Sequence, residues 1–139
     1  MSTRSLIGME QSDGTIRYVY CHFDGYPEYV GRVLQKHYTD TTKLEQLLEL
    51  GDLSVLGEEI GEKQDFSHPT SRQWCIAYGR DRGDADCGPK RAPSSKYYRT
   101  LSADSHGVDY TYFLNKKGEW KGYGAGSARL IKKERYAYA

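Results

Sequence analysis

The stretch Thr15-Ile-Arg-Tyr-Val-Tyr-Cys-His-Phe-Asp-Gly-Tyr-Pro27 decides the fold of this chain. Its side chains alternate between two faces: one carries Val19, Cys21 and Phe23, and the other carries Tyr18, Tyr20 and His22. This period of two predicts a β-strand over residues 15–23, with the first of these faces against a core. Asp24-Gly25 ends the strand, and Pro27 favours a helix start because the first helical turn does not use its missing N–H.

The flanking sequence supplies the neighbouring elements. Residues 3–9 predict a partner strand, joined to residues 15–23 through the turn residues Asp13-Gly14. A helix is expected after Pro27, and Thr42-x-x-Glu45 predicts the capping box of a second short helix that ends at Gly51. Residues 73–79 predict a third strand, residues 80–96 a long polar loop, and residues 109–123 a hairpin.

These elements predict one α+β domain over residues 1–139. An antiparallel sheet of about 4–6 strands would be covered on one face by two short helices. Residues 124–139 are basic and are expected to form a last strand or a tail. The chain has 13 tyrosines, and several of them fall on the face opposite the helices. We interpret that face as a recognition surface or a subunit interface of a homo-oligomer.

Composition excludes several classes of protein. Aromatic residues make up 13% of the 139 residues, which is unlike a disordered chain. The chain contains no apolar run of 18 residues, and residues 1–20 do not resemble a signal peptide. We therefore expect a cytoplasmic protein with no membrane partner. Residues 1–65 carry 6 basic and 12 acidic side chains, and residues 66–139 carry 14 basic and 7 acidic ones. This asymmetry indicates either internal pairing or a basic face for phosphates.

The three cysteines, Cys21, Cys75 and Cys87, have no metal-ligand spacing, so we expect no metal site and no cofactor. Their number and pattern favour a reduced, intracellular protein. Cys87 lies in a polar loop and is a weak candidate for a nucleophile.

The densest polar cluster lies where the strand over residues 15–23 meets the helix. His22 and Asp24 are two residues apart, so on a strand they would share a face, and a histidine held by a carboxylate can act as a general base. Alternatively, Asp24 caps the helix and His22 bonds within the tyrosine face. A third alternative is contact with a ligand.

Arginines are the other candidates for a binding site. Arg4 would neighbour the Tyr20 and His22 face if the first two strands pair, and could stack on tyrosine or hold a phosphate. Arg80 and Arg82 flank a carboxylate in a glycine-bounded turn, an arrangement that suits anion binding but also an ordinary surface cluster. The predicted ligand-binding set is Arg4, Tyr20, His22, Asp24, Tyr26, Arg80 and Arg82.

The N-terminal half resembles a family of small uncharacterised proteins encoded by bacteriophages, prophages and other mobile elements. The resemblance rests on Ser2-Thr-Arg-Ser5 with Ile7-Gly8, on Tyr20-Cys-His-Phe-Asp-Gly-Tyr-Pro27, and on His37-Tyr-Thr-Asp40. It extends to residues 50–57 and 78–83, and covers roughly half of the chain, mostly residues 2–57. It implies a counter-defence context, in which small phage proteins occlude a defence protein or sequester a nucleotide-derived signal.

The resulting functional hypothesis is a non-enzymatic binding protein. Its partner would be a nucleotide-like small molecule used as an immune signal, or a host defence protein. One alternative is a hydrolase or lyase that acts on a nucleotide signal through His22 and Asp24. Another is a nucleic-acid-binding or DNA-mimic inhibitor of a CRISPR or restriction nuclease, because basic residues alternate with aromatic ones toward the C-terminus.

Overall fold

The computed structural model describes residues 2–102 and 107–124 and the backbone of residues 129–130. The strands are β1 (Ser5–Glu10), β2 (Ile16–Cys21), β3 (Leu53–Val55), β4 (Ile76–Ala77), β5 (Lys90–Ala92), β6 (Tyr110–Leu114), β7 (Trp120–Gly124) and β8 (Arg129–Leu130). A π-helical turn (Pro27–Gly31) continues into α1 (Arg32–His37), and the other helices are α2 (Thr41–Leu50), α3 (Tyr78–Arg82) and α4 (Ser95–Thr100). The predicted α+β class is confirmed.

One mixed sheet runs through the described part of the chain in the order β4-β3-β2-β1-β6-β7-β8, and β5 also pairs with β2. The predicted pairing of the first two strands is confirmed, with Ser5 opposite Cys21 and Ile7 opposite Val19. The hairpin of β6 and β7 is also antiparallel. The expectation of a wholly antiparallel sheet is wrong, because β1 pairs with β6 and β2 pairs with β3 in parallel.

The two parallel pairs follow from long connections. Parallel neighbours require a crossover of about a dozen residues or more. The two predicted helices occupy the segment between β2 and β3, and they form such a crossover. No strand was predicted at Leu53–Val55, which forms a strand of 3 residues, too short to show a period of two.

The main core lies between one face of the sheet and the helices α1 and α2. Ile7 and Val19 from the central strands are buried there with Tyr112 from β6. The helices contribute Val33, Leu34, Leu44, Leu47 and Leu48. Phe23 does not join this core, because β2 ends at Cys21 and the alternation stops with it; Phe23 is 41% exposed.

A second, smaller core covers part of the opposite face. It contains Leu6, Ile16, Ala92, Tyr98 and Phe113. Tyr98 lies on α4, a helix that the sequence did not predict, and its side chain is fully buried. The region expected to be a polar loop over residues 80–96 contains the end of α3, the strand β5 and the start of α4.

Local signals set the ends of α2. Its N-cap is Asp40, whose side chain accepts from the Thr42 N–H at 2.9 Å, so the predicted cap at Thr42 is wrong by two residues. Gly51 ends the helix as predicted, with φ of 88°. A Cβ at this position would lie 2.3 Å from the Cys87 carbonyl oxygen, so both the backbone angle and the close approach require glycine.

Three buried tyrosines and the partly buried Tyr29 hold the layers together through their hydroxyl groups. Each of these hydroxyls donates to a main-chain carbonyl in another element: Tyr29 to Leu56 (2.8 Å), Tyr38 to Gly57 (2.7 Å), Tyr98 to Tyr112 (2.7 Å) and Tyr112 to Gly25 (2.7 Å). A buried hydroxyl without a partner would cost free energy, so these bonds allow tyrosine to fill the core. Much of the tyrosine excess is therefore structural.

Adjacent tyrosines on α4 provide a stability test. We expect Tyr98→Phe to lower the free energy of unfolding by about 1–3 kcal/mol, because the carbonyl of Tyr112 loses a buried donor. Tyr97→Phe is the matched control, since Tyr97 is 50% exposed, and it should stay within about 0.5 kcal/mol of wild type. Urea unfolding of the two variants makes the measurement. Equal stability of the two variants would show that the Tyr98 hydroxyl is not a structural bond.

Candidate functional site

A cavity of about 300 Å³ opens on the sheet face opposite α1 and α2. Its lining comes from separate parts of the chain: Leu6, Tyr18, Tyr20, Asp52, Lys90, Leu101 and Val108. The lining combines two tyrosine rings, three apolar side chains and one pair of opposite charges. This is the composition expected of a small-molecule site, where apolar walls surround a few fixed polar groups.

The strand register places the two tyrosines side by side in the cavity. Tyr20 lies opposite Leu6, and Tyr18 lies opposite Gly8. A Cβ at Gly8 would lie 3.1 Å from the Tyr98 hydroxyl oxygen and 2.7 Å from Ile16 Cγ2, so glycine allows Tyr98 to pack onto the strand. Tyr98 in turn packs against Tyr18, with 5.3 Å between ring centroids. The second core therefore supports the Tyr18 wall of the cavity.

Asp52 forms the polar wall. One carboxylate oxygen accepts the Tyr20 N–H at 3.0 Å, and the other lies 3.6 Å from Lys90 Nζ. The backbone N–H of Asp52 donates to the Cys87 carbonyl at 2.7 Å, which fixes the carboxylate relative to the segment before β5. The cavity thus contains the Asp52 carboxylate in a fixed orientation and the Lys90 side chain, which is 56% exposed.

Tyr20 and His22 are joined by a hydrogen bond of 2.7 Å between the hydroxyl and Nδ1. Burial raises the pKa of the Tyr20 hydroxyl, against the opposing effect of the Arg4 guanidinium, so the hydroxyl keeps its proton at neutral pH. The His22 ring also packs edge-on against Phe23, with 4.5 Å between ring centroids. The imidazole is therefore held by neighbours on both sides.

Arg4 lies at the same end of the cavity. Continuing the register of β1 and β2 by one pair places Arg4 opposite His22. Arg4 Nη1 is 3.9 Å from the position that a Cβ on Gly107 would take, next to the cavity residue Val108. Arg4 and His22 thus lie near Tyr20 at the ends of β1 and β2, and their role in ligand binding stays a prediction.

Asp24 and Tyr26 do not line the cavity. Asp24 is exposed with φ of 57°, and the helix begins from Tyr26 without a side-chain cap, so the interpretation of Asp24 as the cap is wrong. The histidine and the aspartate do not share a strand face, because β2 ends at Cys21. Within the described ranges, the hydrogen bond of the His22 ring goes to Tyr20 and no bond joins it to Asp24.

The Arg80 guanidinium forms its hydrogen bonds within the protein. It donates to the carbonyls of Ile60 and Cys75, both at 2.9 Å, and to both carboxylate oxygens of Asp81 at 2.8 and 3.1 Å. These bonds join α3 to the long segment between β3 and β4. The structure thus places the Arg80 guanidinium away from the cavity, with its donors already engaged.

Arg82 also lies outside the cavity. Its guanidinium bonds to Asp84 at 3.0 and 2.7 Å and lies over the rings of Phe66 (4.7 Å) and Tyr78 (4.8 Å). The segment was expected to be a turn that presents arginines, but residues 78–82 are helical. Arg80 and Arg82 therefore project in different directions from the helix. A ligand role for either arginine stays a prediction.

Asp81 is the acceptor at the centre of this cluster. Burial alone would raise the pKa of its carboxyl, but hydrogen bonds from Arg80 and from the backbone N–H groups of Ala77 and Gln64 outweigh that effect and lower it. Its side chain is fully buried. Ionised Asp81 therefore stabilises the packing of α3 against its neighbours.

Acid should weaken the fold through Asp81. Its folded-state pKa lies below the ordinary value of about 3.9, so its contribution is present above about pH 4 and is lost as the pH falls through the lower, folded-state pKa. We expect the unfolding free energy of Asp81→Asn to depend less on pH in this acid range than that of wild type. Asp86→Asn, at an exposed residue nearby, is the control and should keep the wild-type slope. An unchanged slope for Asp81→Asn would contradict the assignment.

The cysteines differ in burial. Burial raises the pKa of Cys21 to about 12 and also raises the pKa of Cys75. Cys87 is partly exposed, and its pKa is raised by partial burial and by the carboxylates of Asp52 and Asp84. A raised pKa lowers the fraction of reactive thiolate, which argues against each of the three as a nucleophile.

Alkylation should separate the three thiols. We expect iodoacetamide at pH 8 to modify Cys87 slowly in the native protein, and Cys21 and Cys75 only after unfolding. Mass spectrometry of tryptic peptides, with and without urea, measures the extent at each site. Native modification of Cys21 or Cys75 at the rate of Cys87 would show that the main core opens readily.

Sequence reasoning named one residue of the cavity lining, Tyr20, and did not name the others. Asp52, Lys90, Leu101 and Val108 carry no motif, and the chain brings them to Tyr20 only through β3, β5 and the segment after α4. Tyr18 was placed on the correct face but was not named as a site residue. The pattern Gly51-Asp52, a helix stop followed by a carboxylate, is the one local signal in the missed set.

Comparison with known protein families, with curated proteins and with solved structures finds no match. None of the helices in the described ranges combines the length and the apolar composition needed to cross a bilayer. In the same part of the chain, no group of three or more His, Cys, Asp or Glu side chains is arranged to hold a metal ion. The assignment of function therefore rests on the cavity.

Proposed function

We propose that this protein binds a nucleotide-like small molecule in the cavity and sequesters it without chemical conversion. The observation that carries the proposal is the wall of two adjacent tyrosines, Tyr18 and Tyr20, beside the charged pair of Asp52 and Lys90. In the context implied by the resemblance to phage and prophage proteins, the ligand is a signal of host defence. A direct inhibitor of a defence protein is the alternative.

The chemistry of the cavity suits a base and a sugar. Stacking of a nucleobase on tyrosine contributes about 1–3 kcal/mol for each base. The Asp52 carboxylate accepts hydrogen bonds from exocyclic amines or ribose hydroxyls, and the Lys90 ammonium group, which is paired with Asp52, donates to neutral oxygens of the ligand. Tyr18 and Tyr20 are held by Tyr98 and His22 respectively, so little ordering is required when a ligand binds.

The size of the cavity limits the ligand. Small-molecule sites commonly have volumes of about 300–1,000 Å³, and this cavity lies at the lower end of that range. A single nucleoside or mononucleotide suits this volume better than a dinucleotide.

Binding without turnover is favoured by the arrangement around His22. The ring nitrogen Nδ1 bonds to a tyrosine hydroxyl and not to a carboxylate, so the His–Asp pair required by the hydrolase hypothesis does not form among the described residues. A general base needs its partner within hydrogen-bond reach. The hydrolase or lyase remains an alternative that product analysis decides.

The nucleic-acid alternative depends on basic and aromatic residues toward the C-terminus. Lys116 and Lys117 lie exposed in the turn between β6 and β7. Trp120, Lys121 and Tyr123 of that prediction lie on β7 and are partly buried, and its residues from 125 onward lie outside the side chains that the structure describes. Salt-dependent retention of DNA or RNA in a gel shift would support this alternative.

Binding is tested by native mass spectrometry and calorimetry with nucleosides, mononucleotides, cyclic nucleotides and ADP-ribose. We expect at least one of them to bind and to be recovered unaltered. Tyr20→Leu, which keeps apolar volume but removes the ring, should weaken that binding about tenfold or more, equivalent to about 1.4 kcal/mol. Tyr26→Leu is the matched control, because Tyr26 is exposed and lies outside the cavity lining.

Three outcomes would contradict the proposal. If no compound binds, the cavity is not a nucleotide site. If Tyr26→Leu weakens binding and Tyr20→Leu does not, the site lies on the loop that follows β2. If chromatography detects a product that is lost in His22→Ala, the protein is an enzyme. Circular dichroism of each variant establishes that the fold is kept.

A further inference from the structure

We propose that Arg4 and His22 form a phosphate subsite at one end of the cavity, so that the ligand is a mononucleotide whose phosphate lies between them. This inference rests on the proposed function and adds the orientation of the ligand. It assigns the base to the part of the cavity near Tyr18 and Asp52.

The first argument is position. The last register pair at this end of β1 and β2 is Ser5 with Cys21, and Arg4 and His22 are the next residues of the two segments, two positions beyond Leu6 and Tyr20. The hydrogen bond from the Tyr20 hydroxyl to His22 Nδ1, 2.7 Å long, holds His22 at this end, and the Arg4 guanidinium lies close enough to Tyr20 to oppose the rise in the pKa of that hydroxyl. Both lie beside the cavity and outside its apolar centre.

The second argument is the hydrogen-bonding state of His22. The Tyr20 hydroxyl keeps its proton at neutral pH and has the Nδ1 atom as its partner at 2.7 Å. Within the described ranges, it has no other acceptor. When this hydroxyl donates to Nδ1, the neutral imidazole carries its proton on Nε2. His22 then presents an N–H donor on the side of the ring away from Tyr20, which suits a phosphate oxygen.

The third argument is the positive charge of Arg4, which no carboxylate among the described residues neutralises. Most arginines near the sheet are already paired with carboxylates: Arg17 with Glu49, Arg80 with Asp81, Arg82 with Asp84 and Arg91 with Asp13. Lys90 is paired with Asp52. The Arg4 guanidinium has no carboxylate partner in the ranges that the structure describes, and Asp109 accepts the backbone N–H of Arg4 instead, at 2.9 Å.

These arguments favour a phosphate over a carboxylate. A guanidinium binds phosphate through two parallel N–H donors, and a neighbouring imidazole N–H supplies a third to the remaining oxygen. The phosphate group of a mononucleotide is tetrahedral and has three free oxygens. It can therefore accept from both Arg4 and His22, which come from different segments of the chain. A planar carboxylate has two oxygens, both of which the guanidinium alone can satisfy.

The test compares each nucleoside with its 5′-monophosphate, for adenine, guanine, cytosine and uracil, by calorimetry at low salt. We expect the phosphate to increase affinity about tenfold or more in wild type. In Arg4→Gln and in His22→Phe, which keeps an aromatic ring at position 22, most of this increment should disappear, and in Arg4→Gln nucleoside affinity should be unchanged. Arg91→Gln is the matched control, since Arg91 does not line the cavity, and it should keep the wild-type increment.

The outcomes separate the two proposals. If nucleosides bind but their monophosphates bind no more tightly, or if Arg4→Gln weakens both equally, the phosphate subsite is overturned and the cavity assignment survives. If Lys90→Gln removes the increment and Arg4→Gln does not, the ligand is bound in the opposite orientation. If neither nucleosides nor monophosphates bind, both this subsite and the nucleotide cavity are overturned.

Discussion

The pairing register of β1 with β2 is the constraint on which the rest of the structure depends. With Ile7 opposite Val19 and Leu6 opposite Tyr20, the two central strands send one set of side chains to the main core and the other set to the cavity. A slip of one residue would exchange these faces along one strand. It would bury polar groups against α2 and place Ile7 or Val19 where the tyrosines now form a wall. Core packing and the cavity are therefore fixed by the same pairing.

Alternation and turn chemistry were sufficient to predict the α+β class, the β1–β2 hairpin, the helices after β2 and the β6–β7 hairpin. They failed where elements were too short to show a period, as in β3 and β5, and they made the third strand too long, because β4 covers only Ile76–Ala77 of the predicted residues 73–79. They also failed at α4, where the buried face of the helix is reduced to Tyr98, a residue that the pattern did not distinguish from the exposed Tyr97 beside it. The parallel pairs depend on how long crossovers pack, which no local window contains.

The candidate site was predictable only in part, for a similar reason. Tyr20 lies on β2, His22 directly follows β2 and Arg4 directly precedes β1, so a local register argument reaches them. Asp52 and Lys90 come from distant segments, and their proximity to Tyr20 is a product of the tertiary fold. Arg80 shows a different limit of sequence reasoning, because a cationic side chain beside glycine resembles an anion site in sequence. In the folded chain its donors bind carbonyls and the neighbouring Asp81.

The two cores on opposite faces of the sheet have a consequence for local opening. The main core unites α1, α2 and the central strands, whereas the second core holds α4 through little more than Tyr98 and its neighbours. Free energies of local opening differ between such units of one protein. The segment around α4 can exchange its amide hydrogens through a partial opening that leaves the main core intact. Because Leu101 and Val108 line the cavity and flank the same segment, a bound ligand would act on this opening equilibrium first, and only then on global unfolding.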